Sequence, residues 1–254
     1  MKDYKETRLT KDFIVNSTEI SEIKTKIESS LNEVDLSFKF HFKNFNTLEL
    51  KFRESSSNYV IDEHEKNDPK LASEKCDWNE EHWTKVVDLL HREKFRNFFW
   101  DSEIPIDKFG KIDLLLANNE VNNTFTKITI IEAKTSQNAR EGLRHALYYS
   151  HLLHYILKKS NRNYEISFAL LIVPKDRQNL SKEKLKLLKE DSNDIKVVYN
   201  GYFSDIKVIE MISPGSLPDL IPSQEVIIPP NINFIYHPVE SDLQIKSSSL
   251  SDFF

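Results

Sequence analysis

Two short segments hold the residues best suited to chemistry. Asp113 interrupts the apolar run KIDLLLA, and Glu132 and Lys134 close the run ITIIEAK. A carboxylate inside an apolar strand is costly unless something binds it. Two such acids and a lysine therefore call for one shared explanation. In an extended chain alternate residues share a face, so Glu132 and Lys134 lie on one side with Ala133 between them. If the two strands pair, Asp113 comes alongside. Two acids with open positions for water suit a hard divalent cation such as Mg²⁺, which prefers oxygen ligands. A neighbouring ammonium can orient or deprotonate water, or offset charge gathering on a phosphate. The competing reading is a structural ion pair of Lys134 with Glu132 or Asp113 at a strand end, because surface pairs are common and weakly informative.

The elements that must position these residues read as α/β (α+β), a central mixed sheet flanked by helices. A helix is expected over 78–95, with Asp77 as its N-cap and Glu80 and Glu81 in the first turn, where the dipole favours acids. Trp83, Val86, Val87 and Leu90 fall on one side of it; Glu80 shares the side of Trp83 and Val87, and Glu81 points about a quarter turn away. Strands are expected at 97–106, 111–117 and 126–133. A long helix over 138–158 follows, with Ala139, Leu143, Ala146, Leu147, Leu153 and Leu157 near one stripe. The very apolar segment 166–173 reads as a strand buried on both faces. Ser181 caps a short helix to residue 189, and strands are expected at 195–199, 206–211 and 225–228.

Towards the N-terminus, residues 1–34 are polar, with a helix around 21–31. The period then changes to two: Leu36, Phe38, Phe40 and Phe42 alternate with Ser37, Lys39, His41 and Lys43, and Leu48, Leu50 and Phe52 resume the apolar side after a turn. This predicts a β-hairpin whose second face carries Lys39, His41, Lys43, Lys51 and Arg53. That face is either a solvated surface or a contact for a nucleic-acid backbone, which basic side chains make. The chain accordingly divides into a β-rich region over 1–75, a core over 76–212, an extension over 213–245 and a flexible tail over 246–254.

Composition narrows the field. The chain has 254 residues and only four glycines, which argues against the glycine-rich phosphate loops of kinases, P-loop ATPases and Rossmann dehydrogenases. Cys76 is the single cysteine, so neither an internal disulfide nor a cysteine zinc site forms within one chain. The net charge of -5 neither suggests nor forbids nucleic acid. No apolar run approaches the ~18 residues of a membrane span, and the charged start MKDYKETRLTKDF lacks a signal core, so an intracellular, cytoplasmic protein is expected.

GKIDLLL followed by ITIIEAKTS and a long helix resembles the core of the PD-(D/E)xK (restriction-endonuclease-like, RecB-like) nuclease superfamily, over roughly residues 78–175. The resemblance implies an αβββαβ core and Mg²⁺- or Mn²⁺-dependent hydrolysis of DNA phosphodiester bonds, in repair or replication. By it, Asp113 and Glu132 would be metal ligands, the Ala133 carbonyl a third, and Lys134 would act on the attacking water. Glu80 would supply the acid that many RecB-like members carry on the first helix, with Glu81 the second choice. The family's usual Pro before the Asp is Ile112 here, and its Gln-x-x-x-Tyr motif is His145-x-x-x-Tyr149, overlapped by Arg144-x-x-x-Tyr148. His145 or Arg144 would then face substrate; the competing reading is an exposed helix face. His151 and His154 read as structural. The end SLSDFF resembles the sliding-clamp-binding peptide, with Leu250, Phe253 and Phe254 as plugs and Ser247 where Gln is usual; the competing reading is a tail folded onto its own domain.

Two further readings stay open. One is a restriction or defence endonuclease on the same fold, with loops such as 118–123 reading base edges. The other is a non-catalytic nucleic-acid- or clamp-binding module, because a fold does not fix activity. A homodimer would suit a cut through both strands.

Overall fold

A computed structural model describes residues 14, 16, 19–32, 78–92, 98–105, 110–119, 125–159, 165–174, 180–213, 229 and 231–254. The helices are α1 (Ile20–Asn32), α2 (Glu80–Arg92), α3 (Ala139–Lys159) and α4 (Lys182–Val198). The strands are β1 (Phe98–Pro105), β2 (Lys111–Asn119), β3 (Phe125–Thr135), β4 (Glu165–Val173), β5 (Ile206–Ile212), β6 (Asn233–Tyr236) and β7 (Ile245–Ser247). All seven form one mixed sheet in sequence order. The β1–β2–β3 and β5–β6–β7 portions are antiparallel, and β3–β4–β5 is parallel. Parallel neighbours need a crossover, and α3 and α4 supply the two.

The sheet separates two cores. Ile128, Ile130, Ile166, Phe168, Leu170, Ile172 and Val208 face α1, α3 and α4. Ile131, Ala133, Ala169, Leu171, Val173 and Ile209 face α2 and the C-terminal residues Leu250 and Phe253. The strand EISFALLIV contributes to both faces, as its continuous apolar character requires.

Several expectations are corrected by this arrangement. Residues 195–199 are not a strand: Leu188, Asp191, Ser192 and Ile195 recur at helical spacing and are buried, so α4 continues to Val198 and leaves Val197 exposed. Its β-branched residues give way to the periodicity of the buried face. Asn79, rather than Asp77, caps α2, since its Oδ1 accepts the His82 N–H at 2.9 Å. The region 1–75 is not wholly separate, because α1 buries Ile20, Ile23, Ile27 and Leu31 in the α3–α4 core and Lys24 donates to the Val198 carbonyl at 3.0 Å. The segment after 213 adds β6 and β7 to the main sheet. The final residues are not a free tail: β7 pairs with β6, and a 3-10 turn at Leu250–Phe253 buries Leu250 and Phe253. The expected hairpin over 36–53, Asp77, Cys76 and the strand over 225–228 lie outside the described residues.

Candidate functional site

The site forms where β2 and β3 part. Their ladder runs to Leu114 opposite Ile131 and stops there. One rung further on, Asp113 and Glu132 would face each other. Alternation of burial also breaks at Asp113: Ile112 and Leu115 join one core, Leu114 and Leu116 the other. In place of a ladder bond, the Ala133 N–H donates to Asp113 Oδ2 at 2.9 Å. Glu132 and Lys134 continue the face of Ile128 and Ile130 towards α3, as period two dictates.

Lys134 is the hub. Its Nζ lies 3.3 Å from Glu132 Oε1 and 3.2 Å from Glu80 Oε2. Glu80 comes from the first turn of α2 on the opposite face and reaches over the strand end, where its Oε1 also accepts the Thr135 N–H at 3.0 Å. Glu81 leaves the same turn, and its side chain lies outside the described residues.

The α3 side braces the acids. His145 Nδ1 lies 3.2 Å from Glu132 Oε1, and its Nε2 lies 3.4 Å from Glu141 Oε1 one turn back. His145 is therefore buried between two carboxylates, not displayed on an outer face. Arg144 is also buried and turns away from the site, its Nε 3.5 Å from Asp191 Oδ2 on α4, an acid that Arg140 holds as well at 2.7 Å. That attraction turns the Arg144 guanidinium towards α4. Tyr149, a further turn along α3, accepts the backbone N–H of Lys111. Gly110 makes that approach feasible: its φ of 119° suits glycine, and a Cβ there would fall 2.5 Å from Tyr149 Oη.

The electrostatics follow from crowding. Burial raises the Asp113 carboxyl from the ordinary 3.8 to about 7; Glu132 and Glu80 push the same way, and Lys134 and the Ala133 N–H pull against them. Burial disfavours the Lys134 ammonium, but Glu132, Asp113 and Glu80 more than offset it and hold the amine charged, above the usual lysine range. Burial, followed by the charges of Glu132 and Asp113, keeps Tyr149 a neutral phenol. Among the described residues, no group of three or more His, Cys, Asp or Glu is drawn close enough together to hold a metal ion. The ammonium itself stands between Glu80 and Glu132.

Asp113, Glu132, Lys134 and Glu80 thus meet at one strand end, with Ala133 at its centre. Glu141, Gly110 and the Thr135 N–H were not singled out by sequence; only a glycine beside a turn gave any hint of Gly110. His151 Nδ1 lies 3.2 Å from Tyr199 Oη, and His154 stacks on Tyr202 at 4.6 Å between ring centroids. Lys39, His41, Lys43, Lys51 and Arg53 lie outside the described residues. Leu250 and Phe253 pack in the α2-side core, and Phe254 lies under the Lys207 ammonium at 5.7 Å. A partner could take these plugs only after the segment undocked from its own domain. No helix among the described residues is long and apolar enough to cross a membrane. No protein-family model matches the chain, and no curated protein or solved structure matches it.

Proposed function

We propose that the chain is a divalent-metal-dependent endonuclease of the PD-(D/E)xK type that hydrolyses DNA phosphodiester bonds, with repair or replication as its setting. The observation that carries this reading is the convergence of Asp113, Glu132 and Lys134 at one point where β2 and β3 part, with Glu80 closing the cluster from α2. The element order from α2 to β4 is helix, three strands, helix, strand, which agrees with the core that the resemblance implies.

The donor chemistry fits a hard cation. Asp113 and Glu132 offer carboxylate oxygens, Ala133 a carbonyl and Glu80 a further carboxylate, and the Asp113 carboxyl, raised by burial and by Glu132 and Glu80, would be drawn to its charged form by a cation. These residues would hold Mg²⁺ or Mn²⁺, which when bound supplies Lewis acidity towards a phosphate oxygen and acidifies bound water. Lys134 stays protonated among the acids, so it serves first as a charge that orients water and offsets the phosphate. It becomes able to take a proton only as the carboxylates are engaged elsewhere. Glu80 holds the ammonium in place, and His145 fixes the Glu132 carboxylate from behind.

The test is a cleavage panel of single-stranded, duplex, mismatched and branched DNA, with and without Mg²⁺. Asp113→Ala, Glu132→Ala and Lys134→Ala should each abolish cutting while circular dichroism stays native. Mg²⁺-dependent cutting retained in any one of them would remove the assignment. Cutting at one defined sequence would place the enzyme in restriction or defence instead.

A further inference from the structure

Gly142 stands in the first turns of α3, its N–H donating to the Asn138 carbonyl at 2.9 Å. Its φ is not positive, so the backbone has no need of glycine there. Glycine also weakens a helix relative to alanine. The reason for it lies in what it faces. A Cβ at 142 would fall 2.4 Å from Lys134 Cγ, 2.9 Å from Lys134 Cβ and 2.7 Å from Leu170 Cδ1. Lys134 Cβ is fixed by its strand and cannot rotate away. Lys134 Cγ can, but only through a change of χ1 that carries the ammonium off Glu132 and Glu80.

We propose that Gly142 is a positioning residue for Lys134: the missing side chain lets α3 close onto the Lys134 stem, and that closure confines the ammonium to its place among the carboxylates. His145 follows one turn later on the same face and holds Glu132. One helix face therefore sets both members of the Glu-x-Lys pair. The kinetic half of this inference rests on the nuclease reading above; the packing half does not.

The experiment compares Gly142→Ala in three backgrounds. In the wild type, Gly142→Ala should lower the melting temperature and reduce kcat by about 10–100-fold, as expected for a misplaced catalytic group, with KM for duplex DNA within about twofold because no substrate contact is touched. In Lys134→Ala, which lacks the Cγ, the same substitution should cost clearly less in melting temperature. In Leu170→Val, which removes the Cδ1 contact, Gly142→Ala should regain melting temperature but not kcat. Equal melting losses with and without Lys134 would overturn the proposal, and so would recovery of kcat in the Leu170→Val background. If the wild type cuts no DNA, the nuclease reading fails, and the Lys134→Ala melting comparison alone decides whether Gly142 positions the lysine.

Discussion

Replacing Asp113 by Asn should make the metal-free protein more stable as pH rises. Asp113 carries its carboxyl at about 7 in the folded chain against 3.8 ordinarily. A raised acid favours the fold when protonated. Its stabilising contribution is complete below 3.8 and is lost as pH climbs to about 7. At ~1.4 kcal/mol per pH unit the full loss is about 4 kcal/mol. Some of it has already occurred by pH 5, and about 2.5 kcal/mol falls between pH 5 and pH 8. Solvent reaching the half-buried side chain trims this to about 1–2.5 kcal/mol. Asn keeps an oxygen for the Ala133 N–H and cannot ionise. Relative to wild type, Asp113→Asn should therefore gain roughly 2–10 °C in melting temperature on going from pH 5 to pH 8 in chelator, for a domain of this size.

Thermal melts in chelator across that range are the assay. A second arm adds Mg²⁺ at pH 8, where ligand at 100 times its Kd should stabilise wild type by about 2.7 kcal/mol and leave Asp113→Asn unmoved. Parallel pH profiles for the two proteins would refute the claim that Asp113 is an acid held out of its ordinary range by burial and by Glu132. Equal Mg²⁺ stabilisation would refute its assignment as a ligand.

Glu80→Gln keeps an acceptor for the Thr135 N–H but removes a charge from Lys134; urea unfolding should change by less than about 1 kcal/mol, while cleavage falls at least ~10-fold if the charge holds the amine in register. Leu250→Ala should cost about 2–5 kcal/mol in urea, as a large-to-small change in a packed core does; a change below ~0.5 kcal/mol would mean the terminus does not dock. Glu210→Ala should cost about 2–4 kcal/mol, since Glu210 accepts the Leu180 N–H at 2.7 Å and meets His237 Nε2 at 3.0 Å in a buried setting; Glu210→Gln should recover part of it.

The residues of the candidate site were legible as a group because they break a local rule. Asp113 and Glu132 are acids in apolar strands, and that contradiction shows without coordinates. Long elements with one clear period, such as α3 and β4, were equally legible. What failed depended on tertiary choices. The β-branched residues Ile195, Val197 and Val198 read as a strand until burial of Leu188, Ser192 and Ile195 showed the helical face. SLSDFF left two readings open, a free plug and a tail folded onto its own domain, because a single chain segment carries no information on whether its own core has room for Leu250 and Phe253; the second is the one observed. Arg144 and His145 adjoin in sequence and have similar chemistry, but their orientations on α3 send one to Asp191 and the other to Glu132. Nothing in the sequence singles out Gly142; the distance to Lys134 gives it a reason.

The choice between a structural ion pair and a cation site turns on charge balance rather than on distance. A structural pair needs one acid for one base, and replacing a buried pair by apolar residues is often neutral or better. Here Glu80, Glu132 and Asp113 all act on the single Lys134 ammonium, and Asp113 rises to about 7 because burial desolvates it and Glu132 adds to the push, more than Lys134 offsets. Glu141 adds a further carboxylate behind His145. A fold selected for stability alone has no need of a surplus buried acid such as Asp113, whose desolvation Lys134 and the Ala133 N–H offset only in part. Its retention at the point where two strands are held apart favours a site that accepts an additional cation over one that is complete within itself. Neutralising Asp113 should then stabilise the metal-free chain while ending its function, an opposition that a purely structural salt bridge would not produce.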